Sequence, residues 1–436
     1  MADDNKSKVP ASRIGRFGRV TRLAGSLAGG MAAEGIRQVR QGKRPKLQHM
    51  LLTPANAQRL TTELAKMRGA AMKMGQILSM DAGDMIPPEL ADILARLRSD
   101  AHTMPMKQLK QVLLESYGED WRERFGSFDY KPVAAASIGQ VHKARSLDGE
   151  WLALKIQYPG IRQSIDSDVD NLGGLIKVTG LLPKEFKLKP LLAEIKLQLH
   201  DEANYELEAE YLANFGDILA DDDRFVVPKL HPEHSNDTIL AMDYIDAVPI
   251  EELANAWPVV RDKAVSSLFE LMLRELFDLH LMQTDPNFAN YQYEEDTGRI
   301  VLLDFGATRR FDSEFSQGYI QLIKAMLEDD DQKILATAKA IGYNHSQSSL
   351  GYQKILLSLF KIIGEIFSSD TPYDFNNSDI VDRMNEINLD MQEYKDEWTT
   401  PPIDALFFHR KLGGLFLLAS RLDAKVAIRP LLEPYL

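Results

Sequence analysis

Two short segments in the second half of the chain carry side chains that could transfer a phosphoryl group. The segment Asp-Pro-Asn-Phe-Ala-Asn begins at Asp285 and ends at Asn290, and Leu-Leu-Asp-Phe-Gly follows with its aspartate at Asp304. In a kinase-type site one aspartate handles the proton of the nucleophile, while an asparagine five residues later and a second aspartate hold Mg²⁺ on the phosphates. The spacing of these three residues predicts the acidic half of such a site.

The other half of a kinase-type site must hold the nucleotide. It needs a strand-turn-strand flap over the phosphates, a lysine on the third strand and a glutamate on a helix to hold that lysine. Lys155 ends the apolar run Leu152-Ala153-Leu154 and fits the strand lysine. The candidate flap one hairpin earlier consists of Ala134, Ala135, Ala136, Ser137, Ile138, Gly139 and Gln140. Alanine replaces most of the expected glycine, so we expect altered nucleotide geometry or selectivity, because Cβ atoms restrict φ and close approach.

Length and composition set the frame for these motifs. At 436 residues the chain is too long for one core, and 44% apolar with 26% charged residues is ordinary for a globular protein. The chain has no cysteine, which excludes disulfides and thiolate metal sites. The first eight residues contain two aspartates and no apolar run, and no stretch of about 18 apolar residues occurs. We therefore expect a cytoplasmic protein, soluble or peripheral to a membrane, without a transmembrane segment.

Charge separates the beginning of the chain from the rest. Residues 1–48 hold eleven Lys or Arg and three Asp or Glu, whereas the whole chain has a net charge of −13. Arg13, Arg16, Arg19 and Arg22 recur every third residue beside an apolar stripe, a pattern typical of a helix on an anionic membrane surface. A flexible soluble arm is the alternative. Nucleic-acid binding is disfavoured because no aromatic stacking platform accompanies the charge.

Hydrophobic periodicity predicts an α+β chain. Helical pattern covers residues 54–115 and 164–216 and returns from residue 259, and strands are expected at 125–132, 136–145, 150–157, 225–230 and 238–244. Asp148-Gly149 is expected to form the hairpin turn before the strand of Lys155. The predicted domains are a basic flexible arm (1–48), a helical extension (49–118), a small lobe with inserted helices (119–247) and a helical lobe (248–436).

Together these motifs resemble the UbiB/AarF-type atypical kinase-like family, and are most similar to its coenzyme-Q-kinase-homologue branch. The most specific mark is Lys-Met-Gly-Gln from Lys73 to Gln76, which matches the KxGQ motif of the family. The Ala-rich flap is nearly as specific, and the Gln-Thr-Asp-Pro-Asn sequence around Asp285 points to that branch. The resemblance covers residues 55–310 with recognisable motifs. It implies a protein-kinase-like two-lobe fold whose N-terminal helical extension carries the KxGQ motif and lies across the active site.

The resemblance also implies roles for individual residues. Lys155 would contact the α- and β-phosphates and Glu208 would brace it, chosen among Glu202, Glu206, Glu208 and Glu210 because Leu207 and Ala209 permit burial. Asp285 would be the catalytic aspartate, and Asn290 and Asp304 would hold Mg²⁺. Lys73 and Gln76, three residues apart on one helix face, would reach into the site from the extension.

One departure qualifies the resemblance. The family has Glu-x-Asp at the start of a long helix, but this chain reads Glu202-Ala203-Asn204. Glu202 can still pair with Lys73, whereas Asn204 either leaves the extension more loosely held or serves through hydrogen bonds. An absence agrees with the resemblance: no Ala-Pro-Glu follows Asp304, and little room exists for an activation segment, so a conventional protein kinase is disfavoured.

Two functions follow as hypotheses. The first is an ATP- and Mg²⁺-binding atypical kinase, acting as an ATPase or small-molecule or lipid kinase that supports ubiquinone or related isoprenoid-lipid metabolism. The second is a nucleotide-gated module that presents or extracts a lipid with little turnover. Under both, ATP is the expected ligand, and an isoprenoid or quinone-type lipid and an anionic membrane surface are the further partners.

Overall fold

The computed structural model describes residues 69–70, 73–74, 103–179, 188–343, 348–391, 394 and 401–436. These residues fall into two compact units. The first unit takes in the described residues up to Ala213 together with Lys229–Ile245, and the second takes in Asn214–Pro228 and Asp246–Leu436. The stretch Asn214–Pro228, which the sequence prediction assigns to the small lobe, therefore groups with the second unit.

A five-stranded antiparallel sheet forms the centre of the first unit. Its strands are β1 (Phe125–Phe128), β2 (Ala134–Ala135), β3 (Gly139–Ser146), β4 (Trp151–Gln157) and β6 (Ile239–Asp243). They lie in the order β1-β3-β4-β6, and β2 pairs with the start of β3. The register places Lys155 of β4 opposite Val141 on β3 and Leu240 on β6. Lys155 thus lies on an interior strand, which fixes its position from both sides.

Strand β4 reads as a nearly continuous apolar run because both of its faces are covered. Every residue from Leu152 to Gln157 is buried, and only Trp151 is exposed. Gly149, at the predicted turn before this strand, has a φ of 93°, a conformation that glycine adopts without strain. The Asp-Gly turn and the apolar run together set where β4 begins.

The described residues of the first unit include four long helices, the last of which leads out of the unit. They are α1 (Met106–Tyr117), α2 (Ile161–Thr179), α3 (Leu188–Glu202) and α4 (Tyr205–Ile218). Helices α2 and α3 approach closely at Gly173, where a Cβ atom would lie 2.3 Å from the side chain of Leu192. The boundary between the two units falls within α4.

The second unit has small sheets among helices. Its strands are β5 (Phe225–Val226), β7 (Val248–Pro249), β8 (Leu281–Gln283), β9 (Tyr291–Glu294), β10 (Arg299–Leu302), β11 (Thr308–Arg310), β12 (Tyr373–Asp374) and β13 (Lys425–Val426). Four of them form a sheet in the order β5-β10-β9-β7, and the pairs β8–β11 and β12–β13 stand apart. The residues between β8 and β9 carry Asp285 and Asn290, and Asp304 follows β10.

Seven α-helices lie among the described residues of the second unit. They are α5 (Pro258–Phe277), α6 (Ser313–Leu327), α7 (Asp331–Ile341), α8 (Leu350–Phe367), α9 (Ile380–Met391), α10 (Ile403–Arg421) and α11 (Arg429–Leu432). The side chains of Asp312, Asp330 and Ser349 cap the N-termini of α6, α7 and α8 by accepting backbone N–H groups. Among the described helices, we find none with the length and apolar character needed to span a membrane.

The predicted α+β order agrees with the structure. Strands occur within all five predicted stretches, and the predicted helical stretch 164–216 contains α2, α3 and α4. One strand begins later than predicted, because residues 136–138 form the turn between β2 and β3. Most of the predicted arm and extension, residues 1–118, lies outside the described residues.

Candidate phosphoryl-transfer site

The strand lysine and a helical glutamate meet inside the first unit. Lys155 Nζ lies 2.6 Å from Oε1 of Glu208, and both side chains are buried, with exposed fractions of 9% and 1%. Lys155 comes from the interior strand β4, whereas Glu208 lies in the first turn of α4. The ring of Tyr205, one turn earlier on α4, has its centre 5.3 Å from Lys155 Nζ. The ion pair therefore ties the sheet to helix α4.

The Ala-rich flap is a tight turn between β2 and β3. The N–H of Ala136 donates to the carbonyl of Gly139 at 2.9 Å, which closes the turn. Ala134 and Ala135 are exposed, and Ala136 and Ser137 are half-buried. At Gly139 a Cβ atom would lie 2.4 Å from the carbonyl oxygen of Ile156, so this glycine is required for the approach of β3 to β4.

Two residues of the predicted flap use their side chains elsewhere. Ile138 and Gln140 are 1% exposed. The side-chain oxygen of Gln140 accepts the N–H of Met104 at 2.8 Å, and its amide nitrogen lies 2.6 Å from Nε2 of His142. Burial lowers the pKa of His142, so its imidazole is neutral near pH 7. The contact of Ile138 and Gln140 with the nucleotide stays a prediction. It concerns only their backbone groups, because their side chains pack inside the unit.

The described part of the KxGQ segment contacts this flap. Lys73 Nζ forms an ion pair with Glu202 Oε1, and the other oxygen of Glu202 accepts a hydrogen bond of 2.7 Å from the hydroxyl of Ser137. Lys73 is 1% exposed. Gly69, one turn before Lys73, packs so closely that a Cβ atom there would lie 3.1 Å from Ile138. One carboxylate thus connects the extension to the flap. The predicted partner residue Gln76 lies outside the described residues.

Asn204 caps a helix. It directly precedes α4, its side-chain oxygen accepts the N–H of Leu207 at 3.3 Å, and its carbonyl accepts the N–H of Glu208 at 3.0 Å. Asparagine caps helix N-termini about as well as aspartate does. This cap sets the start of the helix that carries Glu208, and the role of Asn204 in holding the extension stays a prediction.

In the second unit, backbone hydrogen bonds tie together the segments that carry Asp285, Asn290 and Asp304. The N–H and hydroxyl of Thr284 both donate to the carbonyl of Ala307, at 3.1 and 2.7 Å. The carbonyl of Asn290 accepts the N–H of Leu303 at 3.0 Å, and the amide nitrogen of Asn290 donates to the carbonyl of Asp285 at 3.4 Å. The three predicted residues are therefore parts of one bonded arrangement, although they are up to 19 positions apart in the sequence.

The donor set of this arrangement fits Mg²⁺. The amide nitrogen of Asn290 is engaged, so its side-chain oxygen is the end that can bind a cation. One oxygen of Asp304 accepts the N–H of Gly306 at 3.0 Å, which orients the carboxylate. Magnesium is typically held by one or two protein oxygens while substrate phosphates and water supply the rest. Among the described residues, no group of three or more His, Asp or Glu side chains is gathered as a metal site.

Helix α10 contributes contacts that sequence reasoning missed. Arg410 Nη2 lies 3.4 Å from Oδ1 of Asp285, and a Cβ atom on Gly414 would lie 2.0 Å from Cβ of Pro286. Lys411 is 3% exposed. In the sequence these cations only interrupt the apolar run 405–420. Charged residues within an apolar helix are rarely buried without partners, which is the signal that could have found them.

The family whose description is ABC1 atypical kinase-like domain matches residues 96–338. Among curated proteins, the chain is 38% identical over 98% of its length to a Caenorhabditis elegans protein named atypical kinase coq-8, mitochondrial, of which the match covers 58%. It is 36% identical over 96% of its length to atypical kinase COQ8, mitochondrial, of Saccharomyces cerevisiae, of which 84% is covered. The chain thus spans little more than half of the worm protein.

A solved structure extends the likeness to three dimensions. The Mycobacterium tuberculosis protein Rv3197, determined in complex with erythromycin, aligns with a TM-score of 0.62 and 28% sequence identity, covering 87% of this chain and 95% of the other. The family match and this alignment agree with the motifs read from the sequence. The chain therefore belongs to the ABC1 atypical kinase-like family, also called UbiB, and has a protein-kinase-like fold.

Proposed function

We propose that the protein binds ATP with Mg²⁺ and acts as an ATPase or as a small-molecule or lipid kinase in ubiquinone or related isoprenoid-lipid metabolism. The observation that carries the proposal is the buried ion pair between Lys155 and Glu208 at 2.6 Å. Burying two charges is costly, and it rarely adds stability by itself. A lysine held rigidly on an interior strand is suited to contact the α- and β-phosphates of a nucleotide.

The residues would divide the chemistry as follows. The flap from Ala134 to Gln140 would lie over the phosphates, Lys155 would contact them, and Glu208 would hold Lys155 in position. Asn290 and Asp304 would hold Mg²⁺, which supplies electrostatic stabilisation of the charge that spreads over the transferred group. Asp285 would orient the acceptor hydroxyl or water and take its proton.

The test is ATP turnover by the purified full chain with Mg²⁺, compared with the variant Asp285→Asn. Removal of the carboxylate should reduce turnover by at least about 100-fold, while the melting temperature stays near that of the wild type. Asp370→Asn, at an exposed position of the same unit, is the matched control and should be fully active. Equal turnover in wild type and Asp285→Asn, after further purification to exclude contaminants, would refute catalysis by Asp285.

A second function is favoured by the contacts of Glu202. This carboxylate holds both Lys73 of the extension and Ser137 of the flap. A nucleotide bound under the flap would disturb Ser137 and so change how firmly the extension is held. We propose as the alternative a nucleotide-gated module that presents or extracts an isoprenoid or quinone-type lipid at an anionic membrane surface.

Two measurements separate the alternatives. Turnover that rises with anionic liposomes and vanishes in Asp285→Asn supports a membrane-coupled enzyme. A nucleotide-induced rise in melting temperature without turnover, together with nucleotide-dependent sedimentation on the same liposomes, supports the gated module. Liposomes made only of zwitterionic lipid serve as the control, because the basic arm of residues 1–48 should bind anionic headgroups selectively.

A further inference from the structure

A buried lysine links both ends of the loop that carries Asp285 and Asn290. The loop starts after Gln283, the last residue of β8, and ends before Tyr291, the first residue of β9. Lys411 Nζ on α10 donates to the side-chain oxygen of Gln283 at 3.1 Å and to the hydroxyl of Tyr291 at 2.8 Å. A single ammonium group therefore spans the two residues that bracket the loop.

A carboxylate deep in the same unit accompanies this lysine. Glu275 on α5 has its Oε2 3.8 Å from Lys411 Nζ, and its Oε1 accepts the N–H of Gln283 at 3.3 Å. The exposed fractions of Glu275, Lys411, Gln283 and Tyr291 lie between 1% and 5%. Burial raises the pKa of Glu275 to about 7, although Lys411 opposes the shift. The four polar side chains form a cluster enclosed by the unit, which we call the loop cluster.

Burial of this charge pair is not expected to stabilise the fold. Replacement of such pairs by apolar residues of similar volume is often neutral or stabilising, whereas removal of one partner is strongly destabilising. What the hydrogen bonds of this cluster add is a defined geometry, because each hydrogen bond is directional and its loss is costly in a medium of low dielectric constant. The geometry defined here is the separation and orientation of the two ends of the loop.

The helix that supplies Lys411 also contacts the loop directly. Arg410 forms an ion pair with Asp285, and Gly414 allows the helix to approach Pro286. Consecutive residues on a helix point about 100° apart, so Lys411 can face the interior while Arg410 faces Asp285. The position of α10 therefore decides four contacts with the loop and its ends at once.

We propose that Lys411 is a positioning residue for phosphoryl transfer, which fixes the loop from Thr284 to Asn290 by holding Gln283 and Tyr291 together. The inference rests on the proposed function, since that is what assigns chemistry to Asp285 and Asn290. Lys411 acts through the loop and touches no reacting atom. Its loss should lower kcat far more than it raises the KM for ATP, because displacement of about 1 Å in a catalytic group can cost about 100-fold in rate.

The test compares Lys411→Met with a second variant in which Glu275→Gln is added. Lys411→Met alone removes the cation that opposes the raised pKa of Glu275, so folding at neutral pH must protonate this carboxyl, and the melting temperature should fall. Glu275→Gln removes the ionisable group and should restore much of the melting temperature without restoring kcat. Lys425→Met, which removes the exposed ion pair with Asp374 in the same unit, is the matched control and should keep the wild-type kcat.

The expected result is a kcat reduced by about 100-fold in both Lys411 variants, a KM for ATP within about threefold of the wild type, and faster backbone hydrogen exchange over residues 284–290. A double variant that recovers both melting temperature and kcat would overturn the proposal, because the pair would then be structural only. Unchanged hydrogen exchange in the loop would overturn it as well.

The controls separate this proposal from the proposed function. Full turnover by Asp285→Asn would refute catalysis by Asp285, and the hydrogen-exchange measurement would still decide whether Lys411 holds the loop. Loss of turnover in Asp285→Asn, combined with a normal kcat in the Lys411 variants, would refute the positioning role alone.

Discussion

Two neighbouring glycines on α10 allow a controlled test of how closely this helix must approach the loop that carries Asp285. A Cβ atom added at Gly414 would lie 2.0 Å from Cβ, 2.9 Å from Cγ and 3.3 Å from Cα of Pro286. At Gly413 the same atom would meet nothing within 4 Å. The variants Gly414→Ala and Gly413→Ala therefore have equal chemistry and nearly equal sequence context but opposite steric consequences.

The magnitudes follow from two opposing effects. Replacement of glycine by alanine within a helix stabilises it by about 1 kcal/mol, and both variants share this gain. Carbon atoms pack at about 3.5–4.0 Å, so at Gly414 the helix or the proline ring must move by roughly 1.5 Å. Overpacking of this kind costs about 1–3 kcal/mol. Gly414→Ala should thus be less stable than Gly413→Ala by about that amount.

The displacement should also lower turnover, because Pro286 directly follows Asp285, the proposed catalytic residue. We expect Gly413→Ala to hydrolyse ATP at the wild-type rate, and Gly414→Ala to lose about 100-fold in kcat. The assays are denaturant unfolding and steady-state turnover of both variants under identical conditions. Equal stability and equal kcat in the two variants would refute the reasoning, since they would show that the contact between α10 and Pro286 constrains nothing.

Three further predictions concern other parts of the two units. Glu208→Gln should destabilise the protein by about 3 kcal/mol in denaturant unfolding, because it leaves the ammonium group of Lys155 buried without its counter-charge; an unchanged midpoint would contradict this. Burial lowers the pKa of His409 from 6.5 to about 4, so between these pH values the unfolded chain binds a proton that the folded chain does not. The free energy of unfolding of the wild type should therefore fall by up to about 3 kcal/mol as the pH drops from 6.5 to 4. His409→Gln lacks this loss, and the difference in unfolding free energy between the two proteins should change with pH; parallel pH profiles would exclude the effect. Gly139→Ala should weaken nucleotide-induced thermal stabilisation, because its Cβ would push against the carbonyl of Ile156 and displace the flap; a wild-type shift in melting temperature would argue against it.

Motifs confined to a few neighbouring residues were readable from the sequence. The apolar run before Lys155 predicts an interior strand, and the Asp-Gly turn before it predicts where the strand starts. The spacing of Asp285, Asn290 and Asp304 predicts that their segments meet, which the backbone hydrogen bonds show. In each case the information lies in local periodicity or in a short fixed spacing, which the chain must satisfy wherever the segment packs.

Contacts that depend on long-range packing left no such local pattern. Arg410 and Lys411 lie 125 or more positions after Asp285 or Glu275, and nothing in the order of residues indicates which buried group each cation meets. The side chain of Gln140 is likewise engaged by the spatial neighbours Met104 and His142, which no local pattern indicates. Only the fold determines these pairings, so the loop cluster could be found in the structure alone.

The chain order of the central sheet has a consequence for protein synthesis. Strand β4, with Lys155, pairs on one side with β3, which is made just before it, but its other neighbour β6 comes only after α2, α3 and α4 and a segment of the second unit. At about 5–20 residues per second, the ribosome leaves β4 as an open sheet edge for several seconds. Open apolar edges invite pairing with other chains. A nascent chain stalled before Ile239 should therefore aggregate or recruit chaperones, whereas one stalled beyond Asp243 and the length of the ribosomal exit tunnel should have its sheet complete.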